Sequence, residues 1–254
     1  MAPDLDRQAA QLATLTWSLV IPVKVLARAK SRLTGLAGQR RSDFALAMAA
    51  DTIAAAIQAD TVAAVLVVTD DPEVGGIAAG LGAVVLADTP GSGLNAALAH
   101  GAAYSQDRWP DRGRAGLAGD LPALRPQQLT AALAAAARLG SAFVPDADGT
   151  GTTLYAAVPG AQFRPQFGPA SRDRHLATGA VEIGAVEIGA AEIGAGEVGA
   201  VEIGAGERRA ADLAGLRRDV DTIDDLRAAA KIGVGPRTQA LLEAGGMDAE
   251  LLGL

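Results

Sequence analysis

The most informative part of the chain is Ala115-Gly116-Leu117-Ala118-Gly119-Asp120-Leu121-Pro122-Ala123-Leu124, in which small and apolar residues lead directly to Asp120. We expect this run to form a buried strand, with a helix beginning near Pro126. Asp120 would then stand at the carboxyl end of the strand, where open α/β sheets bind their ligands. A carboxylate at such a place commonly holds a divalent cation against a phosphate-bearing substrate. An Asp close to a Pro also forms a good turn, so both interpretations stand for this segment taken alone.

Apolar runs alternate with helical patterns along most of the chain. The predicted strands are 17–23, 62–68, 83–86, 115–118, 142–144 and 153–158; the predicted helices are 43–57, a short one ending at Gly80, 93–105 and 126–139. This β-α-β alternation predicts an α/β fold with a mostly parallel central sheet and helices on both faces.

Composition excludes several classes of function. The chain has 254 residues and a net charge of -7, so no global positive field attracts nucleic acid. It has no cysteine and two histidines, which excludes disulfides, thiolate nucleophiles and histidine-rich metal centres. No apolar run approaches the roughly 20 residues that span a bilayer, and residues 1–16 lack the pattern of a secretion signal. We expect a soluble, cytoplasmic protein without nucleic-acid or membrane partners.

One segment breaks the alternation. Residues 179–208 consist of six pentads of the type Gly-Ala-Val-Glu-Ile, with glutamates at 182, 187, 192, 197, 202 and 207. A period of five gives no constant apolar face in a helix or a strand. We interpret the segment as a flexible or loosely ordered insertion without a role in the chemistry. A short solenoid is the alternative.

A basic loop follows the first predicted strand. Lys24, Arg28, Lys30 and Arg32 fall within nine residues, and such side chains bind phosphate oxygens through charge-assisted hydrogen bonds. A solvated basic loop is the alternative.

A second loop, Pro90-Gly91-Ser92-Gly93-Leu94-Asn95, opens a helix. Its glycines allow close backbone approach, and Asn95 offers a donor and an acceptor to a base edge. A plain helix cap explains this loop equally well.

Two further motifs suit phosphate and metal chemistry. The loop Asp146-Ala147-Asp148-Gly149-Thr150-Gly151-Thr152-Thr153 is predicted to present backbone N–H groups to an anion, with a hairpin turn as the alternative. In Asp219-Val220-Asp221-Thr222 the two carboxylates lie about 6–7 Å apart on one side of an extended chain, close enough to share cations. Thr222 is also a good cap for the next helix, and both uses are compatible.

Taken together, the ordered motifs resemble the guanylyltransferases of deazaflavin coenzyme F-420 biosynthesis, which join GTP to phosphoenolpyruvate or 2-phospho-L-lactate. The resemblance rests on IPVK-x3-ARAKSRL (21–33), GSGLN (91–95), GDLPAL (119–124), DGTGTT (148–153), FGPASRDRH (167–175) and DVDT (219–222). It implies a Rossmann-like nucleotidyltransferase fold of the GT-A type over residues 17–233. Residues 1–16 would be an N-terminal extension and 234–254 a C-terminal tail.

The resemblance also implies roles for particular residues. Asp120, Asp219 and Asp221 match the carboxylates that hold Mg²⁺, the expected cofactor. Thr152, Gly168 and Ser171 match the positions that bind phosphoenolpyruvate. The loop over the GTP phosphates matches Lys24, Arg28, Lys30 and Arg32, of which the first three would be the catalytic cations. The part of the nucleotide site that recognises guanine matches Gly93, Leu94 and Asn95.

The implied reaction joins GTP and phosphoenolpyruvate to give enolpyruvoyl-2-diphospho-5'-guanosine and pyrophosphate. The acceptor phosphate attacks the α-phosphorus of GTP; because it is already ionised near neutral pH, no strong general base is needed. His175 would touch the acceptor or serve the structure alone. The product would be handed to the next enzyme of the coenzyme pathway.

Two departures from the family pattern affect the structure. Gly116, Ala118 and Gly119 stand where bulkier residues are usual, which predicts weaker packing of their strand, and the pentads lengthen the path to Asp219. The alternatives to phosphoenolpyruvate transfer are the same reaction on 2-phospho-L-lactate, a GT-A glycosyltransferase and a non-catalytic nucleotide-binding module. An aromatic content of 3% argues against a sugar pocket, and three acidic positions argue against a mere binding module.

Overall fold

A seven-stranded sheet forms the centre of the computed structural model, which describes residues 14–24, 38–89, 91–184 and 213–244. Its strands are β1 Trp17–Pro22, β2 Val62–Val68, β3 Val84–Leu86, β4 Gly113–Leu117, β5 Ser141–Pro145, β6 Thr152–Ala157 and β7 Val181–Glu182. The spatial order is β3-β2-β1-β4-β6-β5-β7. Strand β6 pairs antiparallel with both of its neighbours, and the other four pairings are parallel. The predicted mostly parallel sheet is therefore confirmed.

Eight helices are described: α1 Gly38–Ile57, α2 Pro72–Leu81, α3 Leu94–Arg108, α4 Pro126–Leu139, α5 Ser171–Ala177, α6 Ala214–Arg217, α7 Ile223–Ile232 and α8 Pro236–Ala244. The helices and strands predicted from the sequence are present, with ends that differ by a few residues. Their ends follow local chemistry: Asp71 caps α2 by accepting from two backbone N–H groups, and Gly82 ends the same helix at a φ of 97°. None of the helices in these described ranges is long and apolar enough to cross a bilayer.

Both faces of the sheet are covered. Trp17, Leu19 and Ile21 of β1 pack on one face with apolar residues of α1, α2 and α4. Val20, between them, packs on the other face with residues of α3. Successive residues of a strand point to opposite faces, so β1 contributes to two cores and is fully buried up to Ile21.

The chain reverses direction across the sheet between β1 and β4. From β1 it proceeds through β2 to β3 at one edge of the sheet and then returns to place β4 on the other side of β1. Such a reversal opens a crevice outside the carboxyl ends of the two strands, where open α/β sheets bind ligands. Lys24 follows β1 and Asp120 follows β4, so both border this crevice.

The glycines around β4 strengthen its packing. A Cβ at Gly113 would overlap the ring of buried Trp17, and one at Gly116 would lie 2.7 Å from Leu98 of α3. A Cβ at Gly119 would meet the Pro22 carbonyl oxygen at 3.2 Å. The predicted weak packing is therefore wrong at Gly116 and Gly119, because the Leu98 side chain and the Pro22 carbonyl occupy the space beside them.

The first pentad belongs to the folded domain. Its Val181–Glu182 pairs with β5 as β7, Ile183 is fully buried, and Glu182 forms an ion pair with Arg172 at 2.7 Å. The prediction that the insertion begins at Gly179 is thus wrong for residues 179–184. Residues 185–208 lie outside the described part of the chain.

Part of the predicted C-terminal tail also packs on the domain. Asp51 of α1 accepts hydrogen bonds from the backbone N–H groups of Arg237 and Thr238, which caps helix α8. Leu242 of α8 is buried in a cluster with Phe44 and Met48 of α1. Residues 236–244 are therefore joined to the α/β domain, and their partners lie far away in the sequence.

Candidate active site

The predicted site residues converge at one edge of the sheet. Strands β1, β4 and β5 run in the same direction, so their carboxyl ends meet at this edge. Strand β6 runs the opposite way and begins there, with Thr152 paired to Pro145. This edge of the sheet therefore carries four of the polar residues singled out here, which are up to 128 positions apart in sequence: Lys24, Asp120, Asp146 and Thr152.

The loop that carries Asp120 is held by three hydrogen bonds from distant segments. The Leu121 N–H donates to Thr52 Oγ1 at 3.0 Å, and the Gly235 N–H donates to the Pro122 carbonyl at 2.8 Å. The Val220 N–H donates to the Asp120 carbonyl at 3.1 Å. This last bond brings the segment Asp219-Val220-Asp221 alongside Asp120, as the resemblance implies.

Asp219 is the most perturbed carboxyl group of the site. Burial, together with the charges of Asp120, Asp146 and Asp221, raises the pKa of Asp219 to about 7. Four carboxylates therefore face one another closely enough for each charge to oppose ionisation of Asp219. A cluster of this kind favours a bound cation, and perturbed groups in a crevice are typical of functional sites.

Asp146 is the member of this cluster that sequence reasoning did not assign. Its carboxylate accepts from the backbone N–H groups of Thr150 and Gly151, at 2.9 and 2.7 Å. The predicted anion-binding loop is therefore closed internally by Asp146, which uses two of the N–H groups expected to bind a ligand. Its backbone carbonyl accepts from Arg217 at 2.8 Å. The sequence signal was present, since an Asp opening a Gly/Thr-rich turn commonly caps its own loop.

Thr222 and Asp225 form the helix cap predicted for the second acidic motif. The Thr222 hydroxyl accepts from the Asp225 N–H, and the Asp225 carboxylate accepts from the Thr222 N–H at 2.8 Å. The cap fixes the chain just after Asp221 and leaves Asp219 facing Asp120. The helix cap is therefore confirmed, and the use of Asp219 and Asp221 as cation ligands stays a prediction.

The three residues matched to the acceptor lie around helix α5. Thr152 begins β6, Gly168 lies in an exposed loop at a φ of 114°, and Ser171 begins α5. The Ser171 N–H donates to the Gly168 carbonyl, whereas its Oγ is buried with no hydrogen-bond partner in the described structure. The Ser171 hydroxyl is therefore a buried polar group that is unpaired in the described structure, whereas its N–H is already used.

Asn95 joins the glycine-rich turn to the acceptor loop. Its Oδ1 accepts from the Phe167 N–H at 2.8 Å, and its Nδ2 donates to the Phe167 carbonyl at 3.0 Å. The pattern predicted that Asn95 reads a base edge, but these two bonds use one donor and one acceptor of its amide. Gly93 caps α3 at a φ of 98°, and Leu94 is the first residue of that helix.

The basic loop is described only at its first residue. Lys24 follows β1 and is exposed at the border of the crevice. Arg28, Lys30 and Arg32 fall within 25–37, outside the described residues, so their contacts with the GTP phosphates remain predictions.

Two further cations at the site, Arg217 and Arg218, were not predicted from the sequence. Arg218 lies 3.5 Å from Asp225 and 4.0 Å from Asp148.

Comparison with known proteins identifies the family of the chain. The family model described as "Guanylyl transferase CofC like" matches residues 17–182. The chain belongs to this guanylyltransferase family. A protein of Thermomonospora curvata named phosphoenolpyruvate guanylyltransferase is 52% identical over 90% of each chain. A protein of the same name from Streptomyces coelicolor is 49% identical over 89% of this chain and 96% of its own.

The fold of this guanylyltransferase-family chain also occurs in a distant solved structure. A putative nucleotide-diphospho-sugar transferase from Desulfovibrio desulfuricans G20 aligns with a TM-score of 0.61, over 93% of this chain and 96% of that chain. The two share 15% sequence identity, so the likeness concerns the fold alone. It agrees with the predicted Rossmann-like α/β fold.

The acidic cluster has the chemistry of a site for a hard cation. Carboxylate oxygens are the ligands that Mg²⁺ prefers, and Mg²⁺ is commonly bound by one or two carboxylates together with substrate phosphates and water. Within the described ranges, no group of three or more acidic or histidine side chains is already arranged around a metal position. A Mg²⁺ ion bound here would need further ligands from substrate phosphates and water.

Proposed function

We propose that the protein transfers the guanylyl group of GTP to phosphoenolpyruvate, as a step in coenzyme F-420 biosynthesis in the cytoplasm. A phosphate oxygen of phosphoenolpyruvate attacks the α-phosphorus of GTP, and the bond from that phosphorus to the β-phosphate oxygen breaks. The products are enolpyruvoyl-2-diphospho-5'-guanosine and pyrophosphate. Family membership and two relatives named for this reaction support the proposal.

The observation that carries the proposal is the acidic cluster at the crevice between β1 and β4. Asp219 is held among Asp120, Asp146 and Asp221 with a pKa near 7, an arrangement that costs stability unless a cation offsets the charge. Asp120, Asp219 and Asp221 would hold Mg²⁺, which would neutralise charge on the phosphates when bound. Lys24, at the same border, would add a positive charge on the side of β1.

The acceptor would bind on the other side of the cluster. The hydroxyls of Thr152 and Ser171 are donors suited to the phosphate or carboxylate of phosphoenolpyruvate, and the bend at Gly168 leaves room for it. A Cβ at Gly168 would lie 3.4 Å from the Arg174 guanidinium and would require a φ that L residues rarely adopt. The loop would therefore have its shape because glycine occupies this position.

Pyrophosphate release from GTP with each acceptor tests the proposal. The full chain is incubated with GTP, Mg²⁺ and either phosphoenolpyruvate or 2-phospho-L-lactate, with a chelator in a parallel reaction. We expect release with phosphoenolpyruvate to exceed that with 2-phospho-L-lactate and to stop in the chelator. Preference for 2-phospho-L-lactate would correct the acceptor. No release with either, together with turnover of a nucleotide sugar, would favour a glycosyltransferase.

A further inference from the structure

His175 is buried in an aromatic setting that fixes the plane of its ring. The ring stacks on Phe143 and Tyr155, with centroids 5.3 and 4.7 Å away, and meets the edge of Phe167 at 5.8 Å. Phe143 and Tyr155 are themselves cross-strand neighbours in β5 and β6. The imidazole therefore lies flat on the sheet, with its two nitrogens directed along fixed lines.

The hydrogen bonds of the ring determine its tautomer. The backbone N–H of Gln166 donates to Nε2 at 2.9 Å, so Nε2 must carry a lone pair. Burial and the neighbouring Arg174 cation lower the pKa of His175 to about 4, so the ring is neutral near pH 7. Its single proton therefore resides on Nδ1, and a hydrogen bond to the Ser171 backbone also favours a proton on the ring.

This tautomer controls the hydroxyl of Thr152. Nδ1 lies 3.0 Å from Thr152 Oγ1. Because Nδ1 carries the ring's single proton, which the Ser171 backbone also attracts, the Thr152 oxygen can accept from Nδ1 but cannot donate to it. The hydroxyl proton of Thr152 cannot point at the ring and is available to another acceptor. The buried Ser171 Oγ, one helical turn before His175 in α5, has no partner in the part of the chain that is described.

We propose that His175 is a positioning residue that makes the Thr152 hydroxyl a hydrogen-bond donor to an anionic oxygen of the acceptor substrate. This inference rests on the proposed function, because it concerns the site assigned there to phosphoenolpyruvate. The opposite tautomer would accept from the Thr152 hydroxyl and present only oxygen lone pairs to the ligand. Those lone pairs would repel a phosphate or carboxylate, so the tautomer of His175 contributes to selection of an anion.

The tautomer is measured by ¹⁵N NMR on the full chain labelled at histidine. The protein has two histidines, so a His100→Gln variant assigns the signals. Near neutral pH we expect Nε2 of His175 in the range of an unprotonated ring nitrogen and Nδ1 in that of a protonated one. A protonated Nε2, or a doubly protonated ring, would overturn the inference without any variant of His175 having to fold.

Kinetics test the consequence with two matched substitutions. His175→Asn keeps an N–H group near the place of Nδ1, whereas His175→Gln carries its amide one carbon further, near Nε2; both remove the ring. Thr152→Val should raise KM for phosphoenolpyruvate about 10- to 150-fold, the range for losing a hydrogen bond to a charged group. His175→Gln should raise the same KM more than His175→Asn does, with KM for GTP little changed.

A double-mutant cycle separates positioning from a purely structural role. In a Thr152→Val background the two His175 variants should have the same KM for phosphoenolpyruvate, because no hydroxyl remains to be oriented. A difference that persists there, or equal KM values in the native background, would show that His175 acts only through the fold. Failure of the proposed function would appear separately, as absence of guanylyl transfer by the native protein.

Discussion

Asp219 shows how one residue of the site connects stability with function. Its carboxyl group lies among Asp120, Asp146 and Asp221, and these charges together with burial raise its pKa to about 7. Without a cation, the folded state favours the protonated form of Asp219, whereas the unfolded chain ionises it near pH 4. Between these two values, each rise in pH therefore lowers the free energy of unfolding. A bound cation would reverse this effect, because it requires the ionised form.

Asp219→Asn should stabilise the metal-free protein. Below about pH 4 the variant and the native chain should unfold alike, since Asp219 is then protonated in both states. Between pH 4 and 7 the variant should gain stability relative to the native chain, reaching roughly 1–3 kcal/mol, the usual cost of a buried, uncompensated polar group. Urea unfolding in a chelator at pH 5 and pH 8 measures this difference.

The matched control for that experiment is Asp173→Asn, whose carboxylate is 80% exposed. Its free energy of unfolding should stay close to that of the native chain at both pH values. A stability difference for Asp219→Asn that is the same at pH 5 and pH 8 would contradict the assigned pKa. Mg²⁺ should then stabilise the native chain more than Asp219→Asn.

At the scale of elements, the site is assembled by contacts between loops that lie on different strands and helices. Asn95 at the start of α3 pairs with the backbone of Phe167, and Phe167 precedes Gly168 in the acceptor loop. Arg174 of α5 donates to the carbonyls of Gln166 and Phe167 in the same loop. The turn predicted to bind nucleotide and the loop matched to the acceptor are therefore mechanically joined.

Asn95→Asp tests this junction. The carboxylate can still accept from the Phe167 N–H, but its second oxygen would face the Phe167 carbonyl without a proton between them. We expect KM for phosphoenolpyruvate to rise about 5- to 150-fold, from a penalty of 1–3 kcal/mol, with a smaller change in KM for GTP. A rise confined to GTP, with altered preference among purine nucleotides, would support the predicted base reading instead.

The first pentad provides a second test at this scale. Ile183 is fully buried and its N–H donates to the Phe143 carbonyl at 2.8 Å. Ile183→Ala should lower the free energy of unfolding by about 2–5 kcal/mol, the usual cost of such a truncation in a core. Val181→Ala, at an exposed position of the same pentad, is the control and should cost less. Equal losses in thermal or urea unfolding would contradict the burial of Ile183.

At the scale of the whole molecule, the sequence predicted the parts that follow from local pattern. Strands β1 and β2 are continuous apolar runs, and α4 begins at Pro126 as expected, because hydrophobic periodicity and helix-start residues are local signals. Helix α5 was not predicted, because Ser171–Ala177 is mostly polar. Its contact with the sheet includes the hydrogen bond between His175 and Thr152, which are far apart in sequence. Strand β7 was missed because its two residues repeat in the pentads that follow.

The site was predicted as a set of positions, but not as a set of interactions. Asp120, Asp219 and Thr152 could be named from motifs, since each motif is contiguous. The pairing of Asn95 with Phe167 spans 72 residues, and the approach of Asp146 to Asp219 spans a similar distance in the chain. Such contacts depend on the order of the strands and on the antiparallel direction of β6. No local sequence pattern specifies either of these two properties.

Guanylyl transfer to phosphoenolpyruvate at the acidic cluster can be followed by ³¹P NMR with ¹⁸O-labelled acceptor phosphate. The native chain should give a product with an isotope shift on both phosphorus atoms of its diphosphate, and pyrophosphate without label. Asp120→Asn should slow this reaction about 100-fold or more, the scale for removing one electrostatic stabiliser. Asp70→Asn, a matched control on an exposed carboxylate after β2, should react like the native chain. Label in pyrophosphate would exclude attack by the acceptor phosphate on the α-phosphorus, and full activity in Asp120→Asn would exclude Asp120 from the site.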